Sequence, residues 1–134
     1  MTFVVDASVA VKWVAYEQNS PAAAAVREAD NHLIAPSLVI AEIGNALWKK
    51  ALRREMTRNE TLAAFRLAVS HFAEFVPLHD FHQKALELAI ELRHPIYDCF
   101  YIALAERERC ALITADARLI AAAKAVKGIE LRPL

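Results

Sequence analysis

The stretch Phe3-Val4-Val5-Asp6-Ala7-Ser8-Val9-Ala10-Val11-Lys12-Trp13 decides the fold. Its first three residues are aromatic or β-branched and suit a pleated strand, whereas the Ala, Val, Lys and Trp that follow Ser8 have helical character. Asp6-Ala7-Ser8 lies between them, so the segment reads as strand, turn and helix with a carboxylate directly after the strand. The same order recurs downstream. Leu33-Ile34-Ala35 is an expected strand ended by Pro36; from Ser37, a possible N-cap, Ile40, Ile43, Ala46, Leu47 and Ala51 repeat at helical spacing. Ala111-Leu112-Ile113-Thr114 is a further strand, and a helix from Asp116 to Lys127 follows it. Parallel strands need crossover connections, which place helices on the sheet. The expected fold class is therefore α/β, a three-layer α/β/α sandwich with a central parallel sheet of four to five strands. Function in such sheets gathers at the carboxyl ends of the strands.

The intervening segments fit this frame. A helix is expected over Ser20 to Ala29, capped by Ser20 and with Pro21 in its first turn. Thr57 and Glu60 have capping-box spacing for a helix to about Phe72. Phe75-Val76-Pro77-Leu78 reads as the third strand, followed by a helix from His79 or Asp80 to Leu92. His94-Pro95-Ile96-Tyr97 breaks the chain before a helix that starts at Pro95 or Tyr97 and ends near Arg109, and Ile129-Glu130-Leu131 is a closing strand. There is no repeat, low-complexity tract or linker, and 134 residues suit one core, so residues 1–134 are expected to form a single domain.

Composition narrows the class. With 57% hydrophobic residues and two glycines, the chain is neither disordered nor a loop-rich all-β protein. No uncharged apolar run is long enough to cross a bilayer and no basic leader precedes Phe3, which leads us to expect a cytoplasmic chain without a membrane partner. Cys99 and Cys110 lack metal-ligand spacing and are expected as buried reduced thiols. His79 and His82 stand at helical spacing without a third ligand nearby, and Trp13 and Trp48 are expected as core or interface anchors. The formal net charge is zero, so any binding of a polyanion needs a local patch; Lys49, Lys50, Arg53, Arg54 and Arg58 supply the densest one.

The chemistry lies in the acids. Asp6 and Asp116 each follow a strand directly, and each also suits the N-cap of the helix it precedes. Glu42 lies some six residues beyond the second strand, still in the first turns of its helix. Asp98 starts a helix that leads back into the fourth strand, and such a helix begins at the strand's carboxyl end. Four carboxylates from four remote segments can therefore meet at one edge. Glu42 and Asp98 sit in apolar runs with no Arg or Lys within a turn, and acids in such surroundings are rarely unpaired. A cation from outside the chain is a reasonable partner, and clustered carboxylates suit Mg2+ or Mn2+.

Four blocks, Val4 to Trp13, Pro36 to Lys49, Tyr97 to Ala105 and Leu112 to Asp116, are similar to the signature blocks of PIN-domain toxins, in the same order and spanning nearly the whole chain. The resemblance implies a metal-dependent endoribonuclease, the VapC-type toxin of a bacterial toxin–antitoxin pair. It implies Asp6, Glu42, Asp98 and Asp116 as catalytic and metal-site acids, with Ser8 and Thr114 as hydroxyl helpers near metal and phosphate. Mg2+ or Mn2+ would activate water for in-line attack on RNA, so no protein nucleophile is required. A cognate antitoxin, a homodimer and a hetero-oligomer of the two are the implied partners.

Two rival readings fit less well. A receiver-like signalling module could use Asp80 and Arg132-Pro133, but it wants a pair of acids after its first strand, and Glu42 and Asp98 would have no role. A catalytically silent binding module of the same fold would have lost one or more of the acids, and none is lost.

Overall fold

Val4 and Val5 are fully buried because β1 (Thr2–Val5) is the central strand of the sheet, covered on both faces. In the computed structural model, which describes residues 1–134, β1 pairs in parallel with β2 (His32–Pro36) on one side and with β4 (Ala111–Thr114) on the other. The edges are β3 (Glu74–Val76) beside β2 and β5 (Leu131–Pro133) beside β4, so the order is β3-β2-β1-β4-β5 with every neighbour parallel. Val4 is level with Ile34 and Leu112, and Val5 with Ile113. The carboxyl ends of β1, β2 and β4 therefore finish at one edge.

Each crossover is helical. α1 (Ala7–Lys12) and α2 (Ser20–Glu28) lead from β1 to β2, and α3 (Leu38–Leu52) and α4 (Arg58–Ser70) from β2 to β3. α5 (His82–Leu92) and α6 (Ile96–Glu108) lead from β3 to β4, and α7 (Ala117–Lys124) from β4 to β5. α6 packs on β1, β2 and β4 and between α5 and α7, which buries every residue from Cys99 to Ala105. That enclosure accounts for the unbroken apolar run Cys99-Phe100-Tyr101-Ile102-Ala103-Leu104-Ala105, since a helix with no wet face needs no polar stripe. α1 and α3 pack on each other and against β4 and β2 respectively. The structure is the expected α/β sandwich, and no helix is long and apolar enough to cross a membrane.

Several boundaries differ from the sequence reading. β3 ends at Val76 because Pro77 has no N–H for the ladder, and Leu78–Asp80 forms a 3-10 turn. Phe81, at φ −149° and ψ 20°, is outside the helical range, so α5 starts at His82 rather than at His79 or Asp80. β5 lies two residues later than expected and α7 ends at Lys124. Ser20 is not a cap: α2 already starts there, and its hydroxyl accepts from the Glu17 N–H at 2.8 Å. Ser37 precedes α3 in a helical conformation that leaves its side chain without a capping bond. The Thr57–Glu60 capping box forms as expected. Cys99 is buried and Cys110 only partly so, both as free thiols. Trp13 is buried with its Nε1–H donating to the Ala23 carbonyl at 2.9 Å, whereas Trp48 stands 55% exposed.

Strand order matters for function. From β1 the chain steps to β2 and β3 on one side, then crosses to β4 and β5 on the other. The crevice of an open parallel sheet opens at this switch, beyond the carboxyl ends of the two diverging strands. Here those strands are β1 and β4, and the residues that follow them include Asp6 and Asp116.

Candidate active site at the carboxyl edge of the sheet

Asp6 is the floor of this edge. It is only 5% exposed and caps α1, accepting from the Val9 N–H at 3.4 Å. The Ser8 hydroxyl donates to its Oδ1 and the Thr114 hydroxyl to its Oδ2, each at 2.7 Å. Those hydroxyls are themselves fixed: Ser8 Oγ accepts from the Ala115 N–H and Thr114 Oγ1 from the Asp116 N–H, both at 3.0 Å. Each hydroxyl has one proton and gives it to Asp6, so the 3.4 Å approach of Ser8 Oγ to Thr114 Oγ1 carries no hydrogen bond of its own. Burial pushes the Asp6 carboxyl up to about 7; the Ser8 and Thr114 hydroxyls and the Val9 N–H oppose that, and the Asp116 charge adds to it. Thr114 is wholly buried and its hydroxyl is spent on Asp6.

The other three acids stand above this floor. Glu42 projects from the second turn of α3 and is half-buried, with Oε1 accepting from the Tyr101 hydroxyl at 2.5 Å. Burial raises its carboxyl above the usual range; the Tyr101 hydroxyl works against this, and the charges of Asp98 and Asp116 add to it. Tyr101, buried among the same acids, has its phenol pushed well above its ordinary value by desolvation and then by Glu42. Asp98 lies in the first turn of α6, and its Oδ2 meets His94 Nε2 at 2.5 Å. Pro95 explains that contact. It disfavours helix at His94, α5 ends with Arg93 in a left-handed turn at φ 51°, and the imidazole is left at the head of α6, one helical turn from Asp98. Asp116 caps α7 by accepting from the Arg118 N–H at 2.8 Å and still lines the crevice, so capping does not remove it from the edge where the other acids lie.

Glu42, Asp98 and Asp116 line one small depression of about 250 Å³ together with Pro95, Tyr97 and Arg118. Glu42 and Asp116 also border a larger groove of about 520 Å³, which is lined by Ser8 and the cations Lys12, Lys49, Lys50 and Arg53. The basic patch of the sequence is thus divided. Lys49, Lys50 and Arg53 face this groove and are joined by Lys12, while Arg58 lines the apolar cleft between α3 and α4. Lys50 is partly engaged by Glu17 at 3.8 Å.

The acids gather at one edge but do not form a closed ligand set, since no three His, Cys, Asp or Glu side chains are arranged to hold a metal ion as they stand. Each is held by a protein donor instead: Asp6 by two hydroxyls, Glu42 by Tyr101, Asp98 by His94 and Asp116 by the Arg118 N–H. The donor chemistry nevertheless fits a hard divalent cation. Glu42, Asp98 and Asp116 each keep a second carboxylate oxygen outside these bonds, and Glu42 feels the negative charge of the other two. Tyr101 and His94 have no role in the sequence reading. Tyr101 reads as core in an apolar helix, although a buried phenol needs an acceptor; His94 stands one turn before Asp98, where only Lys and Arg count as permanent cations.

The PIN domain family model matches residues 3–125. This chain belongs to the PIN-domain family. Among curated relatives, Ribonuclease VapC3 of Pyrobaculum aerophilum is 32% identical over 123 residues, covering 89% of this chain and 92% of that one. Exonuclease VapC9 of the same organism is 34% identical over 94 residues, covering 69% and 68%. Among solved structures, VapBC2 from Rickettsia felis, bound to a DNA fragment from its promoter, superposes with a TM-score of 0.72 at 16% identity, over 100% of this chain and 99% of that one. The PIN assignment covers all the acids named above and both hydroxyls that hold Asp6.

Proposed function

We propose that this PIN domain is a divalent-metal-dependent endoribonuclease acting as the toxin of a VapBC-type pair. The observation that carries the reading is the grouping of Glu42, Asp98 and Asp116 around one depression, directly beside buried Asp6 and next to a groove with four cations. The relatives named as VapC ribonucleases support it. The free carboxylate oxygens of Glu42, Asp98 and Asp116 would hold Mg2+ or Mn2+, with Asp6 supplying negative charge from beneath. Such an ion polarises a phosphate oxygen and makes water nucleophilic near neutral pH. Tyr101 and His94 fix one oxygen of Glu42 and of Asp98, so the other oxygen is presented in one orientation. Lys12, Lys49 and Arg53 neutralise backbone phosphates leading away from the cut.

The test is incubation of single-stranded RNA with Mg2+, with Mn2+ and with excess chelator. Cleavage only with the metals is expected, and full cleavage in chelator overturns metal dependence. A circular RNA separates internal from terminal attack: it is opened by an endonuclease and untouched by an exonuclease.

The same reading gives the chain an antitoxin and a second copy of itself as partners. The apolar cleft of about 410 Å³ between α3 and α4, with Trp48 and Leu62 exposed, supports a protein-binding face. The acidic depression supports inhibition by an inserted Arg or Lys. Substituting such a residue in the antitoxin should restore cleavage while leaving the complex intact.

A further inference from the structure

The crevice opens into two unlike spaces that share Glu42 and Asp116. One is the groove with Lys12, Lys49, Lys50 and Arg53, whose chemistry suits phosphates. The other is smaller, about 250 Å³, and its lining residues other than the acids are Pro95, Tyr97 and Arg118. We propose that this second space is a nucleobase subsite, in which one unpaired base next to the scissile phosphate stacks on Tyr97, purine in preference to pyrimidine. The proposal rests on the nuclease reading above and adds to it where sequence preference is set.

Tyr97 is 60% exposed, and an exposed aromatic residue by itself means little. Trp48 and Leu62 are also exposed, but they line the α3–α4 cleft, which contains none of the four acids. Tyr97 differs by position. It precedes Asp98 in the first turn of α6, and its depression is the one that holds Glu42, Asp98 and Asp116. The platform is also rigid at its base. α6 is buried from Cys99 onward, Pro95 fixes the chain before it, and His94 ties down the neighbouring Asp98. An exposed ring on so fixed a stretch of backbone has only its own side-chain rotations to lose when a base stacks on it. Arg118 makes no ion pair, although three carboxylates share its depression, so its guanidinium is available to the base edge or the adjoining phosphate. Every base has a π-face, so the subsite tolerates all four; the larger purine ring overlaps the phenol more and is preferred. The base must leave its own stack to reach the ring, which restricts cutting to single strands and loops.

Stacking on one aromatic ring corresponds to roughly tenfold or more in affinity. Cleavage sites in a mixed pool of single-stranded RNAs are mapped for the wild type, Tyr97→Phe and Tyr97→Ala. A purine preference is expected at one position beside the cut, kept in Tyr97→Phe and lost in Tyr97→Ala with about a tenfold fall in kcat/KM. A second measurement is independent of cleavage. RNAs carrying 2-aminopurine at successive positions are titrated with Glu42→Gln protein, in which RNA should stay intact, and with Glu42→Gln/Tyr97→Ala. Stacking quenches the fluorescence, so quenching at one position that disappears in the double variant supports the subsite. Wild type that cleaves RNA, with Tyr97→Ala unchanged in preference and rate, overturns the subsite and leaves the nuclease reading standing. Wild type that cleaves no RNA, together with Glu42→Gln protein that quenches none, overturns both.

Discussion

Asp6 is ionised at a cost when no cation is present, and Asp6→Asn measures that cost. Its carboxyl lies at about 7 in the fold against 3.8 for an ordinary aspartate. At about 1.4 kcal/mol per pH unit, that gap is on the order of 4 kcal/mol. The folded state holds the proton more tightly than the unfolded chain. The Asp6 contribution to stability is therefore greatest below about pH 4, falls as pH rises from 3.8 towards 7, and stays low above that. Asparagine removes the charge at nearly constant volume, but not freely. Ser8 and Thr114 both donate to Asp6, and an amide offers one oxygen and one NH2, so one hydroxyl must turn round at a cost of about 1 kcal/mol.

In chelator at pH 8, Asp6→Asn should be more stable than wild type by roughly 2–3 kcal/mol, a rise in Tm of around 10 °C. At pH 4 the advantage should vanish or reverse slightly. Denaturation of both proteins at several pH values in chelator is the assay. Saturating Mg2+ should then narrow the pH 8 difference, since a ligand bound only to the fold stabilises whichever protein binds it better. A wild type with flat stability from pH 4 to 8, combined with an Asn variant weaker throughout, would refute the claim that the Asp6 charge is penalised by burial.

Tyr101→Phe removes the donor to Glu42, which should lower stability by about 1–2 kcal/mol and reduce cleavage; equal melting and activity would show that the phenol does not position Glu42. His94→Ala frees Asp98 to rotate, so kcat should fall about tenfold with little change in KM for RNA, and His94→Gln should recover part of it; a change in KM alone would contradict a positioning role. Lys49→Glu with Arg53→Glu should weaken RNA binding and flatten its salt dependence by about 0.7 in log–log slope for each phosphate no longer neutralised; an unchanged slope would move the backbone path elsewhere.

The sheet was legible because β1, β2 and β4 are short β-branched or aliphatic runs closed by Asp6, Pro36 and Thr114-Ala115-Asp116, and because helices alternate with them. The β3 to α5 passage was not. Phe75-Val76-Pro77-Leu78 is apolar throughout, and only the missing N–H of Pro77 says where pairing stops. The four acids were legible from their places after strands and in apolar helices. What holds them was not: Tyr101 is separated from Glu42 by the whole of α4, β3 and α5, and the Ser8–Asp6–Thr114 clamp joins the first strand to the fourth. Such links are tertiary, and helical or strand periodicity carries no information about them. Lys12 joined the basic groove for the same reason, since α1 and α3 meet only in the fold.

A formal net charge of zero argues against RNA binding only if the charges are mixed, and here they are sorted. α3 presents Glu42, Asn45 and Lys49, and its C-cap Arg53, in turn along the groove. At about 1.5 Å rise per residue, Glu42 and Lys49 are about 10 Å apart along the axis. That is slightly more than the Debye length of roughly 8 Å at physiological salt. A phosphate seated at Lys49 and Arg53 is thus attracted locally and largely screened from the acids. A phosphate placed at Glu42, Asp98 and Asp116 would have much less relief. Three carboxylates face it, Asp6 lies beneath, and Arg118 is the one basic side chain that lines the same depression. Four of the protein's cations thus line the groove, whereas Arg118 alone lines the depression with three carboxylates. That imbalance is the physical reason to expect a divalent ion there, and it is why removing one acid should relieve the empty fold and disable the loaded one at the same time.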